Sequence, residues 1–279
     1  MTKQDLTKLS KYFDVDFAER LTPLKIKKNP FRDLLIADTH KPFDNKNCYN
    51  ITINDNLDCE NLIIDGDWFD FYSKNHYRKT MSIDFKSEFR EGFIDLREAA
   101  RKFKRVYFLV ANHDNRYKKW LFDNTPVEMI DLVNYNLVED LISTIPNLKI
   151  IQQKSSTGRD INYIYKFKNI VFSHIEQSGA DVSKAVQEIE KKLPKWNTTY
   201  NLGNYEALFQ AHNHTSAKIR FGDKYLFQIP CLIDINAKAF DYVFSGKLQG
   251  NPPALGYTIL IKDKSGNFDP AKSYIVDLN

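Results

Sequence analysis

Cysteine is scarce: 279 residues hold three, Cys48, Cys59 and Cys231, with no CxxC pair and one thiol left over however they pair. A disulfide framework and a thiolate zinc ribbon are therefore not indicated, and a reduced, cytoplasmic setting is the expectation. Long hydrophobic runs are missing as well. No stretch approaches the ~18 apolar residues of a membrane span, and the polar N-terminus MTKQDLTKLSKYFDVDF lacks the apolar core of a signal peptide. No membrane partner is expected. Nor does one charge dominate: 40 Lys and Arg stand against 36 Asp and Glu, a net +4. That balance permits a polyanionic substrate without marking a protein that coats nucleic acid. Internal repeats and low-complexity tracts are absent, which argues against solenoids and arrays.

What is present is core material, 42% hydrophobic and 14% aromatic residues, ample for a globular enzyme. Residues 1–30 combine a helical pattern (Leu6, Leu9, Phe13, Phe17, Leu21) with the basic run LKIKKNP. They read as a helical and basic segment packed on the domain that follows, with a nucleic-acid arm as the alternative. Residues 31–279 read as a single domain, with SSTGRD and GNPPALG as loops. Short apolar runs, DLLIAD at 33, NLIID at 61, VYFLVA at 106, IVFSH at 170 and ALFQA at 207, predict buried strands. Between the second and third, Phe85, Phe89, Phe93, Leu96, Ala100 and Phe103 keep the period of one helical face, so strand, helix, strand predicts a parallel crossover. Further helices are expected within 116–142 and at VSKAVQEIEKKL. The strand-rich C-terminal third (KIRF, KYLFQIP, GYTILI, SYIVDL) is expected to complete a second sheet.

Chemistry gathers where the runs end. LLIADTH ends on Asp38 and His40, IIDGDWFD carries Asp67 and Asp70, LVANHDNR carries Asn112, His113 and Asp114, VFSH ends on His174, and FQAHNHT holds His212 and His214. Alternate strand residues point the same way, so Asp-x-His delivers two ligating groups to one side of a sheet edge, where α/β folds bind ligands. Each signal has a bland reading alone: a turn, an N-cap, a satisfied buried histidine, a surface pair. Together, in order and each after an apolar run, they point to a metal site of mixed N and O donors, suited to manganese, iron, zinc or similar divalent ions. Seven ligands exceed one ion's needs, and two ions sharing a carboxylate suit displacement at phosphorus.

The ordered set ADTH, GDWFD, ANHD, FSH and AHNH resembles the calcineurin-like metallophosphoesterases, over residues 33 to about 215. That resemblance implies an α/β fold, a four-layer αββα sandwich with two central mixed β-sheets. It implies two divalent ions, manganese first, with iron, zinc, nickel or magnesium as alternatives. Asp38, His40, Asp67 and His214 would hold one ion; Asp67, Asn112, His174 and His212 would hold the other. His113 is then the catalytic imidazole, oriented by Asp70, and a metal-bridging hydroxide attacks phosphorus directly. The family's glycines before Asn-His and His-x-His are Ala111 and Ala211 here, costly only if the backbone needs a positive φ. GDWFD with NHD is closer to the DNA-repair nuclease branch, and GDWFDFYSKN looks like compact bacteriophage phosphoesterases. Basic residues after the motifs, His76, Arg78 and above all Arg116, are candidates to grip a phosphodiester. The expectation is a phosphodiesterase on DNA, RNA or a nucleotide diester. A phosphomonoesterase on a small substrate is the enzyme alternative, and a catalytically idle binding scaffold the non-enzyme one.

Overall fold

Residues 34–36 are apolar without interruption and buried on both faces, which requires a layer on each side of their strand. A computed structural model, describing residues 2–75, 79–152, 163–177, 183–238 and 253–278, supplies both layers. In chain order the elements are α1 (Lys3–Phe13), β1 (Asn29–Ile36), α2 (Lys46–Asn54), β2 (Cys59–Asp65), α3 (Phe85–Lys102), β3 (Arg105–Leu109), α4 (Arg116–Asn124), α5 (Leu137–Ile142), β4 (Leu148–Ile151), β5 (Ile164–Phe167), β6 (Ile170–Ser173), α6 (Lys184–Tyr200), β7 (Ala207–Gln210), β8 (Ala217–Phe221), β9 (Lys224–Gln228), β10 (Gly256–Ile261) and β11 (Tyr274–Asp277). The first sheet runs β11-β10-β1-β2-β3-β4 and the second β5-β6-β7-β9-β8.

Three apolar seams join four layers. Leu35, Ile63 and Leu109 of the first sheet meet Phe172, Phe209 and Phe227 of the second. On its other face the first sheet packs Leu34, Leu62, Ile64 and Phe108 against Phe89, Phe93 and Leu96 of α3 and Leu141 of α5. The second sheet packs Val171, Leu208 and Leu226 against Val186, Ile189 and Leu193 of α6. The architecture is the αββα sandwich with two mixed sheets. β1, β2 and β3 are parallel, linked through α2 and α3, so their C-terminal ends open on one edge.

α3 forms where its aromatic spacing predicts, begun by Asp84, whose side chain caps the Ser87 amide. The N-terminal helix lays Phe13 on Phe89, ring centroids 4.7 Å apart, and Phe17 packs on Phe93 at 4.8 Å. One expectation needs correction: β8 and β9 belong to the second sheet, but GYTILI and SYIVDL become β10 and β11 of the first, β10 antiparallel to β1 and β11 antiparallel to β10. Ile259 faces α2 and α3 while Leu260 faces the other sheet; a run apolar on both faces does not say which sheet it joins. His76, Arg78 and the loop SSTGRD lie outside the described residues. Among the described residues no helix is long and apolar enough to cross a membrane.

Candidate metal centre

Every predicted ligand in the described residues follows a strand exit, and the backbone there is unusual. Asp38, His40, Asp67, His212 and His214 all have positive φ, between 48° and 75°. Non-glycine residues avoid that region, and such outliers concentrate at ligand clamps. Hydrogen bonds between the loops hold them: His40 N donates to Asp67 O at 2.8 Å, Asp38 N to Gly66 O at 3.2 Å, and His212 N to Asp38 Oδ2 at 3.0 Å. Ala111 and Ala211 are not among the positive-φ residues, so alanine carries no backbone penalty there.

Three trios of side chains converge, each with ligand atoms within 4.8 Å of one another: Asp38, His40 and His214; Asp67, His174 and His212; and His40, Asp67 and His113. The first two fall within the two four-residue ligand sets that the resemblance implies, and His40 of one comes within 3.7 Å of Asp67 of the other. Do these residues fit a cation? Buried polar atoms normally find a partner, yet Asp38 Oδ1, Asp67 Oδ2, Asn112 Oδ1, His174 Nε2 and His212 Nδ1 have no hydrogen-bond partner among the described residues. His174 Nε2 comes within 3.0 Å of Asp67 Oδ2 without hydrogen-bond alignment. Lone pairs gathered this way suit a shared cation.

The groups behind the ligands set their tautomers. Asp70, held ionised by His113 and Arg116 against the cost of its burial, lies well below the usual carboxylate range. It can only accept, so the His40 Nδ1–H donates to Asp70 Oδ2 at 2.8 Å and presents Nε2 to the cluster. His174 does the same through Nδ1–H to the Asp65 carbonyl at 2.8 Å. His113 also donates Nδ1–H to Asp70 Oδ2, at 3.1 Å, while its Nε2 accepts from Arg116 Nη2 at 2.8 Å. Burial and the Arg116 charge pull His113 down to about 4, a neutral ring in one tautomer. Arg116, the candidate to grip a phosphodiester, has its Nη1 bound to Asp70 O and Oδ1, both at 2.9 Å.

Sequence reasoning missed three supports. Asp114 accepts from the backbone amides of Asp67 and Phe69 and from Ala111, at 2.9, 3.0 and 3.0 Å, tying two ligand loops together; its place in ANHD before a helix was the available signal. Asp70 serves His40 as well as His113. Lys41 is fully buried, pairing with Asp44 at 2.7 Å and Asp95 at 2.5 Å, and nothing in the local sequence marks it.

Protons occupy this cluster when cations do not. Burial depresses His174, but the Asp67 and Asp38 carboxylates overcome it and raise the ring to about 10. Burial is likewise outweighed at His40 by Asp38 and Asp70, which raise it to about 9. Asp38 and Asp67 lie well below the carboxylate range, as the neighbouring imidazolium charges outweigh burial. Each divalent ion must displace one imidazole proton, that of His40 or that of His174, so apparent affinity per Mn2+ should climb with pH up to about 9, approaching one decade per unit. Calorimetry in buffers of different ionisation enthalpy should count the released protons; none released would contradict the donor set. In chelated protein the same shifts act on stability. The imidazole contribution is complete below 6.5 and lost as pH rises through about 9–10, whereas the carboxylate contribution exists above 3.8 and is lost as pH falls through the depressed values.

No family profile and no curated protein matches the chain. Solved structures are similar at low identity. An archaeal phosphodiesterase aligns at 11% identity over 88% of this chain and 99% of its own, TM-score 0.40. Wild-type Vps29 with Zn2+ from Entamoeba histolytica aligns at 12% over 89% and 99%, TM-score 0.40. A predicted phosphoesterase from Streptococcus pneumoniae aligns at 7% over 88% and 97%, TM-score 0.32.

Proposed function

We propose that the protein is a two-metal phosphodiesterase acting on nucleic acid or a nucleotide diester. The observation that carries this reading is the pair of trios, Asp38–His40–His214 and Asp67–His174–His212, in which Asp38 Oδ1, Asp67 Oδ2, His174 Nε2 and His212 Nδ1 are buried with no hydrogen-bond partner among the described residues. Asp67 is cast as the shared carboxylate and Asn112 as the amide ligand beside His174 and His212. Two divalent ions held there, manganese in the first instance, would lower the pKa of water and polarise phosphoryl oxygens.

The chain's own residues supply the rest. His113, against His40 with ring centroids 4.3 Å apart, is placed to attend the leaving oxygen, and Asp70 fixes its ring. Arg116 offers a guanidinium beside the same ring, 14% exposed at its side chain, where it favours an anionic substrate. No serine or cysteine nucleophile is called for.

Hydrolysis of bis-p-nitrophenyl phosphate against p-nitrophenyl phosphate by Mn2+-loaded protein, with a chelated control, tests the reading. Diester preference abolished by chelation is expected. Monoester preference would move the assignment to a small-molecule phosphatase, and inactivity on both together with failure to bind metal would favour a binding scaffold.

His113→Ala separates a ligand from a group that serves the leaving oxygen, a service for which the ring must exchange the Arg116 N–H at Nε2 for a proton. Metal content should stay near wild type while turnover falls about 10²-fold, more for alkoxide than for nitrophenolate leaving groups. Because His113 also forms a trio with His40 and Asp67, metal loss equal to that of a ligand variant would reassign it as a ligand.

A further inference from the structure

α4 carries basic and aromatic side chains away from the metal centre. Arg116, its first residue, faces Asp70 and His113. Lys119 and Trp120 follow at i+3 and i+4, on the same side of the helix and one turn, ~5.4 Å, further along. Their neighbours are turned elsewhere: Tyr117 stacks on Phe85 with ring centroids 4.2 Å apart, and Lys118 bonds Asn136 at 2.8 Å and pairs with Glu139. Trp120 remains 37% exposed.

A second element brings charge to the same place. Lys74, just beyond Asp70 in sequence, sets its ammonium 4.0 Å from the Trp120 ring centre, and Lys79 anchors beside it through Ser73 O at 2.6 Å. Among the described residues no ion pair engages Lys74, Lys79 or Lys119. Burial first, and then the like charge of Lys79, pull Lys74 downward, a repulsion that an anion between them would relieve. Past Trp120 the character changes. Asp123, Glu128 and Asp131 accompany the exposed Val127 and Leu132, and the exposed Phe122 is stacked on Tyr135, so the basic strip begins at the site and ends at Trp120.

We propose that Trp120, one face of its ring covered by the Lys74 ammonium and Lys119 beside it on the helix, is through its other face the stacking platform for the base next to the scissile phosphate of a single-stranded nucleic acid. This rests on the diesterase reading and narrows its substrate. An indole accepts any base face, and adjacent ammonium groups take the flanking phosphates without reading sequence. A small nucleotide diester would not extend past Arg116 and would gain nothing from the strip.

The test compares Trp120→Ala and Trp120→Phe in the Mn2+-loaded protein on oligothymidylate and on bis-p-nitrophenyl phosphate. The ratio of kcat/KM for oligonucleotide over nitrophenyl diester should fall about tenfold in Trp120→Ala, through KM, and recover most of that in Trp120→Phe. A binding readout stands apart from turnover. Oligothymidylate should quench tryptophan fluorescence in the inactive Asp67→Asn chain, and the quench should vanish when Trp120→Phe is added. An unchanged ratio and an unchanged quench would overturn the platform while leaving diester hydrolysis standing. A wild type inactive on the nitrophenyl diester would remove the catalytic reading, and the quench alone would then decide the platform. A Trp120→Ala change in oligomeric state without loss of oligonucleotide binding would mark a protein contact instead and overturn it too.

Discussion

Asp67→Asn should lower diester turnover by about 10³-fold or more and cut bound metal from two ions per chain to one or fewer, with the fold intact. The two oxygens of Asp67 do different work. Oδ1 accepts the His113 amide at 2.9 Å, and Oδ2 lies 3.0 Å from His174 Nε2 and 3.7 Å from His40 Nε2. Asparagine is nearly isosteric, but its one oxygen is claimed by the His113 N–H, because an NH2 there would face another donor. The amide nitrogen then points at the imidazoles, with hydrogens where a lone pair and a charge are needed. The backbone links to His40 and Asp114 do not depend on the side chain. Far-UV circular dichroism should therefore match wild type while metal analysis and kcat/KM collapse together. Full activity in this variant would remove Asp67 from the shared position. Loss of activity with both ions retained would make it a charge near the reaction and no bridge.

Much of the candidate site is legible in sequence because groups able to ligate a metal leave a one-dimensional trace. Asp38, His40, Asp67, His174 and His212 each follow an apolar run, and parallel strands bring their ends to one edge. α3 is equally plain from Phe85, Phe89 and Phe93. What stays hidden depends on contacts between distant segments. β10 reads as a strand, but buried on both faces it carries no mark of its sheet. Nothing in GDWFD says that Asp70 will serve His40, thirty residues earlier, as well as His113. Lys41 looks like a surface lysine beside a ligand and is instead fully buried between two carboxylates. The left-handed backbone of five candidate ligands is invisible too, since none is glycine; the loop hydrogen bonds hold it.

Gly66→Ala should do as much damage as losing a ligand, although glycine coordinates nothing. Gly66 sits between β2 and Asp67 with φ +78°, which costs alanine roughly 1–2 kcal/mol. Space is the harder constraint. A Cβ there would lie 2.3 Å from Ala111 Cβ and 2.6 Å from His174 Nδ1. That nitrogen donates to the carbonyl of Asp65 next door, so the imidazole cannot retreat without breaking the bond that aims Nε2 at the cluster. Overpacking adds about 1–3 kcal/mol, and the sum should lower the melting temperature by ~3–10 °C. Metal binding by the folded fraction should fall too, since His174 is the group displaced. Adding Ala111→Gly separates the causes: it removes the 2.3 Å contact but not the 2.6 Å one. The double variant should regain melting temperature while metal affinity stays low. Recovery of both would mean that the sheet edge, and not the His174 ring, sets the need for glycine, and a single variant that melts and binds metal like wild type would mean the loop yields where the packing says it cannot.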